Sequence, residues 1–219
     1  MLSTAIKEWG WLEENPVSKI QKPPENPART RLLTVDEKDR LLEACRASKS
    51  QFLVPVMTIA LLTGMRSGEI LNLRWKDVDF TQNTITLHRT KNGDSRIVPL
   101  TAAVAEIFQK SPNYPGQQDT LIFKSPYKDG PISIRKSYCG ALKRANIEDF
   151  TFHDLRRAAG SYLAMDGATL GELMAILGHK TPQMTYRYTR YYQEHLHKIM
   201  EKTSQNLLQN TGNKQDQSA

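Results

Sequence analysis

Cysteine is scarce in this sequence. Cys45 and Cys139 are the only two among 219 residues, which is too few for a disulfide framework or a thiolate metal site and indicates a reducing compartment. Long hydrophobic runs are also missing: the longest, near residues 54–62, is far shorter than the roughly 20 residues that cross a bilayer. The N-terminus lacks the charged-then-apolar order of a signal peptide. We therefore expect a cytoplasmic protein.

Acidic residues are outnumbered by basic ones. The sequence has 30 Lys and Arg against 23 Asp and Glu, giving a formal charge of +7 and a pI near 9.4. This balance is compatible with a polyanionic partner, although an ordinary basic protein would show it too. No Asp/Glu cluster has the spacing of a divalent-metal site, so no metal ion or other cofactor is expected. The 39% of hydrophobic residues suits one compact domain with extensions.

Helical patterns occupy most of the chain. Thr34 and Glu37 have the spacing of a capping box and predict a helix through about Ala47. The apolar run over 52–63 predicts a helix buried in the core and ended by Gly64. Further helices are predicted at about 67–74, 101–110, 131–145, 153–166, 169–177, 181–189 and 192–208.

A short β-region interrupts the helices, with strands predicted at 78–80, 84–89 and 96–100. Asn92-Gly93 lies between the last two and favours a tight hairpin, because a type I′ turn needs positive φ at both central residues. The predicted class is therefore α+β, mainly α-helical, with one small three-stranded antiparallel sheet. Residues 209–219 are polar and are expected to be disordered.

The stretch from residue 151 to 188 holds the most informative polar residues. His153 and Arg156 are three apart near the start of a predicted helix, so they share a face beside free backbone N–H groups that could receive a phosphate. Taken alone, this pair is more simply a cap-region histidine and a surface arginine. His179 closes the next predicted helix, and Tyr188 follows on a short helix that can fold back towards it.

Two further regions carry cations. Arg66 enters a helix directly after the buried one, with Glu69 three residues on and able to orient its guanidinium. Lys91 lies on the predicted hairpin, where it could reach into a DNA groove, although a solvated lysine is the simpler explanation.

Taken together and in this order, the motifs resemble those of the tyrosine recombinases, the phage-type integrase family, from about residue 31 to 192. The matching pieces are T-G-M-R-S-G-E-I at 63–70, T-K-N-G-D-S-R-I-V-P-L at 90–100, H-D-L-R-R at 153–157, L-G-H at 177–179 and R-Y-T at 187–189.

The resemblance implies the DNA breaking-rejoining fold and a role for each matched residue. The implied roles are phosphate binding by Arg66 and Arg156, general acid catalysis by Lys91, general base catalysis by His153, a phosphate hydrogen bond from His179, nucleophilic attack by Tyr188, and support of the Arg66 and His153 region by Glu69. The positions of Arg157 and Tyr186 do not match the spacing of the family motif, so neither residue is expected to be essential.

This set of groups suits metal-free cleavage of a phosphodiester. Attack adds negative charge to the non-bridging oxygens, which two arginines can stabilise. A phenol with a pKa near 10 is only about one part in a thousand ionised at neutral pH, so the nucleophile needs a base. A covalent 3′-phosphotyrosyl link would conserve the energy of the broken bond, so a 5′-hydroxyl can rejoin the strand without ATP.

The resemblance also implies a division of the chain. Residues 1–30 would be the remnant of a core-binding domain and its linker, 31–192 the catalytic domain, 193–208 a C-terminal helix that could dock on a neighbouring protomer, and 209–219 a tail. Double-stranded DNA is the expected partner, and association as a tetramer on DNA is expected, with a monomer as the alternative without it. Accessory DNA-bending proteins are further candidate partners, and the expected location is the nucleoid.

Two other functions fit parts of the pattern. A type IB topoisomerase also uses a tyrosine with arginines, a lysine and a histidine, but it relaxes supercoils instead of joining partners. A non-catalytic DNA-binding regulator would keep the basic surface without needing a complete active site. The integrase-like sequences of the motifs favour recombination or integration of a phage or other mobile element.

Overall fold

Residues 2–20, 31–88 and 95–212 are described by the computed structural model of the chain, and they belong to two units, Met1–Thr30 and Arg31–Ala219. In the first unit, helix α1 spans Leu2–Lys7 and a 3-10 turn spans Pro16–Lys19. The Asn15 side chain caps this turn by accepting a hydrogen bond from the Val17 N–H, at 3.0 Å.

The second unit is mainly α-helical, as the sequence predicts. Its helices are α2 (Val35–Arg46), α3 (Leu53–Thr63), α4 (Ser67–Leu71), α5 (Ala102–Gln109), α6 (Arg135–Arg144), α7 (Phe152–Met165), α8 (Leu170–Leu177), α9 (Pro182–Tyr186) and α10 (Tyr192–Gly212). Single 3-10 turns span Trp75–Asp77 and Thr189–Tyr191. None of the helices in the described part of the chain has the length and apolar character of a membrane span.

Helix α3 forms the centre of the core. Its residues are apolar on all sides, and Leu53, Val56 and Ile59 are completely buried. It packs against α7, and also contacts α2, α4 and α5. Gly64 ends the helix in the left-handed conformation, with φ of 63°, and a Cβ there would lie 2.5 Å from the side chain of Leu177. The close approach brings the end of α8 against the end of α3.

The sheet contains the three predicted strands in the order β1 (Val78–Asp79), β2 (Thr84–Leu87) and β3 (Arg96–Pro99), all antiparallel. Val78 pairs with Ile85, and Ile85 with Val98, so these three buried side chains lie side by side on the inner face. Direct pairing explains this arrangement, since side chains of residues directly opposite each other on neighbouring strands lie on the same face of the sheet. The turn predicted at Asn92-Gly93 lies outside the described residues.

Several element ends differ from the predictions. The helix predicted at 67–74 ends at Leu71, because the next residues pair with a distant segment: the Trp75 N–H donates to the Thr120 carbonyl. The helix predicted from 131 begins at Arg135, since the Ile132 N–H bonds to the Phe123 carbonyl. The helix predicted at 181–189 ends at Tyr186 and gives way to the 3-10 turn.

At the C-terminus, α10 continues to Gly212, so residues 209–212, predicted to be disordered, are helical. Polar composition is shared by disordered tails and by exposed helices, and it did not distinguish the two here.

Candidate active site

Arg66 lies two residues after Gly64, which ends α3, and is the N-cap of α4. Its guanidinium donates from Nη1 to Glu69 Oε1 at 2.7 Å, and its backbone N–H donates to Glu69 Oε2 at 2.8 Å. Both side chains are largely shielded, with 24% and 10% exposed. The predicted Arg66–Glu69 contact is therefore present, and it fixes the arginine at the edge of a cleft.

Arg156 joins the ends of two other helices. It lies on α7, is 4% exposed, and donates one hydrogen bond to the Gly64 carbonyl and another to the Leu177 carbonyl. Burial, with repulsion from Arg66 and Arg96, lowers the pKa of Arg156 to about 10. The guanidinium still carries its charge at neutral pH, so α7 delivers a buried cation to the point where α3 and α8 end.

Arg96 is a third guanidinium that is largely shielded from solvent, and the sequence assigned it no role. It donates from Nη2 to Glu69 Oε2 at 2.9 Å and from Nη1 to the Leu177 carbonyl at 2.6 Å. Glu69 thus supports Arg66 and Arg96, and its hydrogen bonds among the described residues do not include His153. Strand alternation could have revealed the residue, because Arg96 shares the inward face of β3 with buried Val98.

His153 lines the same cleft as Arg66 and Arg156, a space of about 990 Å³. Burial lowers the pKa of His153, and the nearby Arg157, Arg156 and Arg66 lower it further, so the imidazole is neutral at pH 7.

The phosphate site expected at the free N–H groups of α7 stays a prediction. In the first turn of this helix, the buried Asp154 carboxylate accepts hydrogen bonds at 2.7 Å from both the backbone N–H and the hydroxyl of Thr151, the N-cap residue.

His179 and Tyr188 form a second group beyond Leu177. Their rings stack at 6.3 Å between centroids with an interplanar angle of 8°. The hydroxyl of Thr185, a residue that sequence reasoning did not single out, lies 2.8 Å from His179 Nδ1. Burial, followed by repulsion from arginines, lowers the pKa of His179 to about 4, so this imidazole is also neutral at pH 7.

Tyr188 is only 4% exposed and packs with Ala164, Leu173 and Leu177. Its ring lies over Gly160, where a Cβ would come within 2.6 Å of Cζ. Burial raises the pKa of Tyr188 above its usual value, while Arg156 and Arg187 oppose the rise. The phenol is therefore protonated at rest, beside a cation that would favour its ionised form.

Of the remaining predicted site residues, Lys91 lies outside the described part of the chain. Arg157 forms an ion pair with Asp154 at 2.8 Å, and Tyr186 is 52% exposed. Within residues 2–20, 31–88 and 95–212, no group of three or more His, Cys, Asp or Glu side chains is arranged to hold a metal ion.

The fold, with its arginine cluster and neighbouring tyrosine, is that of a tyrosine recombinase catalytic domain. The catalytic domain of bacteriophage HP1 integrase matches with a TM-score of 0.59 and 28% identity, over 77% of this chain and 92% of that one. The model of the phage integrase family matches residues 31–195, and the chain belongs to this family.

Two curated relatives agree with this assignment. The shufflon-specific DNA recombinase of Escherichia coli is 35% identical over 190 residues, which cover 86% of this chain and 47% of that protein. The integrase of Salmonella phage P22 is 30% identical over 211 residues, which cover 90% of this chain and 52% of that protein. The chain thus spans about half the length of these relatives.

Proposed function

We propose that this chain carries the catalytic centre of a site-specific recombinase, which cuts and rejoins DNA strands through a covalent 3′-phosphotyrosyl intermediate on Tyr188. The observation that carries the proposal is the bonding of Arg156. This buried cation shares the cleft with Arg66 and His153 and is bonded to Leu177, against which Tyr188 packs. The cleft that would bind the anion and the phenol of Tyr188 thus lie next to each other, where the helix ends meet.

The charges match the needs of the reaction. Arg66 and Arg156 would bind the non-bridging oxygens of the scissile phosphate and stabilise the charge that attack adds to them. Neutral His153 would accept the Tyr188 proton, and His179 would donate a hydrogen bond to the phosphate. Lys91 would protonate the leaving 5′-hydroxyl. Neither a metal ion nor ATP enters this scheme, because the arginines stabilise the charge and the phosphotyrosyl bond conserves the energy.

Access to Tyr188 is part of the proposal. A side chain that is 4% exposed cannot attack a phosphate from solvent. The segment from α9 to the following 3-10 turn must therefore shift when DNA occupies the cleft, and the ring must leave its place over Gly160. The raised pKa of the buried phenol protects it from reaction before that shift.

We further propose that residues 31–192 form the catalytic domain and residues 1–30 the end of a core-binding domain with its linker. Double-stranded DNA is the proposed partner, supported by the formal charge of +7. Exposed Leu196, Ile199 and Met200 along α10 support self-association on DNA through residues 193–208. The proposed location is the cytoplasm, at the nucleoid, where DNA-bending proteins could assist.

A nicked duplex that carries the attachment site of the encoding element tests the function. Loss of the short strand beyond the nick traps the covalent intermediate, which is counted on a denaturing gel. The wild-type chain should form it, and Tyr188→Phe should form none while binding DNA with nearly unchanged affinity, because only the attacking oxygen is removed. Tyr186→Phe is the matched control and should behave as wild type. Equal capture by Tyr188→Phe would refute the assignment.

A further inference from the structure

We propose that Arg96 is a positioning residue for strand cleavage: it holds the Glu69 carboxylate and the Leu177 carbonyl in place and thereby aligns Arg66 with the turn that carries His179. This inference rests on the proposed function. Arg96 itself is 10% exposed and acts through other residues, so we do not count it among the catalytic residues.

The first contact of Arg96 fixes the support of Arg66. Glu69 Oε1 accepts from Arg66 Nη1 at 2.7 Å, while Oε2 accepts from Arg96 Nη2 at 2.9 Å. With one guanidinium on each oxygen, the carboxylate cannot rotate without breaking a charge-assisted hydrogen bond. Arg96 therefore restrains the plane of Glu69, and Glu69 restrains the guanidinium that faces the cleft.

The second contact fixes the turn after α8. Arg96 Nη1 donates to the Leu177 carbonyl at 2.6 Å, and Arg156 donates to the same oxygen. Gly178 follows in the left-handed conformation, with φ of 62°, and a Cβ there would lie 2.1 Å from Arg96 Nη1. The turn is thus shaped around this guanidinium, and the next residue is His179.

The anchor of Arg96 is the sheet, whereas the groups that it aligns lie on helices or helix ends. Arg96 pairs with Leu87 in the β2–β3 ladder, and neighbouring Val98 is buried in the core. A strand position of this kind is more rigid than a loop, which suits a residue that sets the geometry of others. Arg96 thus ties α4 and the end of α8 to a common support.

The contacts also make a clean test feasible. If Arg96 is removed, Glu69 Oε2 keeps the hydrogen bond from the Arg66 N–H, and the Leu177 carbonyl keeps that from Arg156. No partner is left without a hydrogen bond, so the usual penalty for an orphaned buried group is avoided. Removing one of three neighbouring guanidiniums also relieves repulsion. Besides burial, the charge of Arg66 lowers the pKa of Arg96, and the charges of Arg66 and Arg96 lower the pKa of Arg156.

The experiment compares Arg96→Met and Arg96→Lys with the wild type, with Arg40→Met as the control for loss of an ion-paired arginine that does not line the cleft. The rate of covalent capture is measured on two nicked duplexes, one with an ordinary scissile phosphate and one with a neutral methylphosphonate. We expect Arg96→Met to be slower by on the order of 10- to 100-fold on the phosphate, because misplaced arginines stabilise its charge less.

On the methylphosphonate, which carries no charge for the arginines to bind, the deficit of Arg96→Met relative to wild type should nearly vanish. Arg96→Lys should recover part of the rate, since an ammonium can reach only one of the two oxygens, Glu69 Oε2 or the Leu177 carbonyl, at a time. Arg40→Met should match wild type on both duplexes. Circular dichroism confirms folding, and if Arg96→Met does not fold, the same comparison with Arg96→Lys decides.

An equal deficit on both duplexes would mean general structural damage and would overturn the inference, as would a wild-type rate for Arg96→Met on the phosphate. Those results would leave the proposed function intact. Absence of a Tyr188-dependent covalent complex in the wild-type chain would instead overturn the proposed function and this inference with it.

Discussion

At the scale of single residues, burial decides the resting charge of the site. It raises the pKa of Tyr188 and lowers those of His153 and His179, so the phenol and both imidazoles are neutral at pH 7. Arg156 keeps its charge, although burial lowers its pKa to about 10. The free protein therefore combines cations in the cleft with an uncharged phenol, and in the proposed mechanism Tyr188 ionises only when the phosphate and the base are in place.

The low pKa of His179 predicts a pH dependence of stability. Its pKa is about 4 in the folded chain and about 6.5 in an unfolded one. Between these values the unfolded state binds a proton that the folded state does not, so the stabilisation is complete above about pH 6.5 and is lost as the pH falls towards 4. The melting temperature should therefore fall over this range, and fall less in His179→Gln.

His197→Gln, a change at an exposed position of α10, serves as the control for loss of a histidine and should keep the wild-type slope. Thermal melts followed by circular dichroism at several pH values provide the comparison. Identical slopes for His179→Gln and the wild type would contradict the assigned burial of His179.

The sequence indicated which residues share the cleft better than it indicated their contacts. The motifs pointed to Arg66, His153 and Arg156, which line one cleft in the structure. They did not point to Thr185, which bonds His179, because a threonine in a short helix carries no distinctive spacing. The second partner of Glu69 was missed for a related reason: the pairing joins residues far apart in sequence, and only the folded chain brings them together.

At the scale of helices and strands, glycines set how closely the elements meet. Gly64 and Gly178 end α3 and α8 in the left-handed conformation, and Gly160 lets the Tyr188 ring lie directly on α7. The composition of α3 predicted its burial, whereas the end of α4 was fixed by pairing with a distant segment. Tertiary hydrogen bonds override local helical preference at such ends.

Gly160→Ala tests this packing. The new methyl group would lie 2.6 Å from Tyr188 Cζ, so the ring must move away from α7. We expect nitration of Tyr188 by tetranitromethane, measured by mass spectrometry, to increase. We also expect the free energy of unfolding, measured in urea, to fall by about 1–3 kcal/mol because of overpacking. The higher helix propensity of alanine offsets up to about 1 kcal/mol of this loss.

Gly171→Ala on α8 is the control, since no atom beyond its chain neighbours and its own stretch of helix backbone lies within 4 Å of its Cβ position. It should leave nitration unchanged and raise stability by about 0.4–1 kcal/mol. If Gly160→Ala left the reactivity of Tyr188 unchanged, the ring would not be held where the structure places it.

At the scale of the whole molecule, α10 presents apolar surface that its own unit leaves exposed. Leu196, Ile199 and Met200 lie three and four residues apart, hence on one face, with 54%, 47% and 69% of their surfaces exposed. The sequence predicted that this helix could dock on a neighbouring protomer, and the exposure of these side chains in the folded chain supports that prediction.

Ile199→Glu with Met200→Glu should therefore weaken self-association on DNA. Charged side chains cannot be buried in an apolar interface without a large desolvation penalty. Analytical ultracentrifugation on an attachment-site duplex should show a shift from the higher oligomer to single bound copies, whereas Gln205→Glu, an exposed polar position of the same helix, should assemble as wild type. Unchanged assembly of the double variant would rule out α10 as the contact.

The central claim, that Tyr188 is the nucleophile, is tested most directly by locating the DNA on the protein. The trapped covalent complex is digested with nuclease and protease, and the peptide that carries the residual nucleotide is sequenced by mass spectrometry. The site described here predicts a 3′-phosphotyrosyl linkage on Tyr188. A linkage on Tyr186 or Tyr191, or on a residue other than tyrosine, would contradict it.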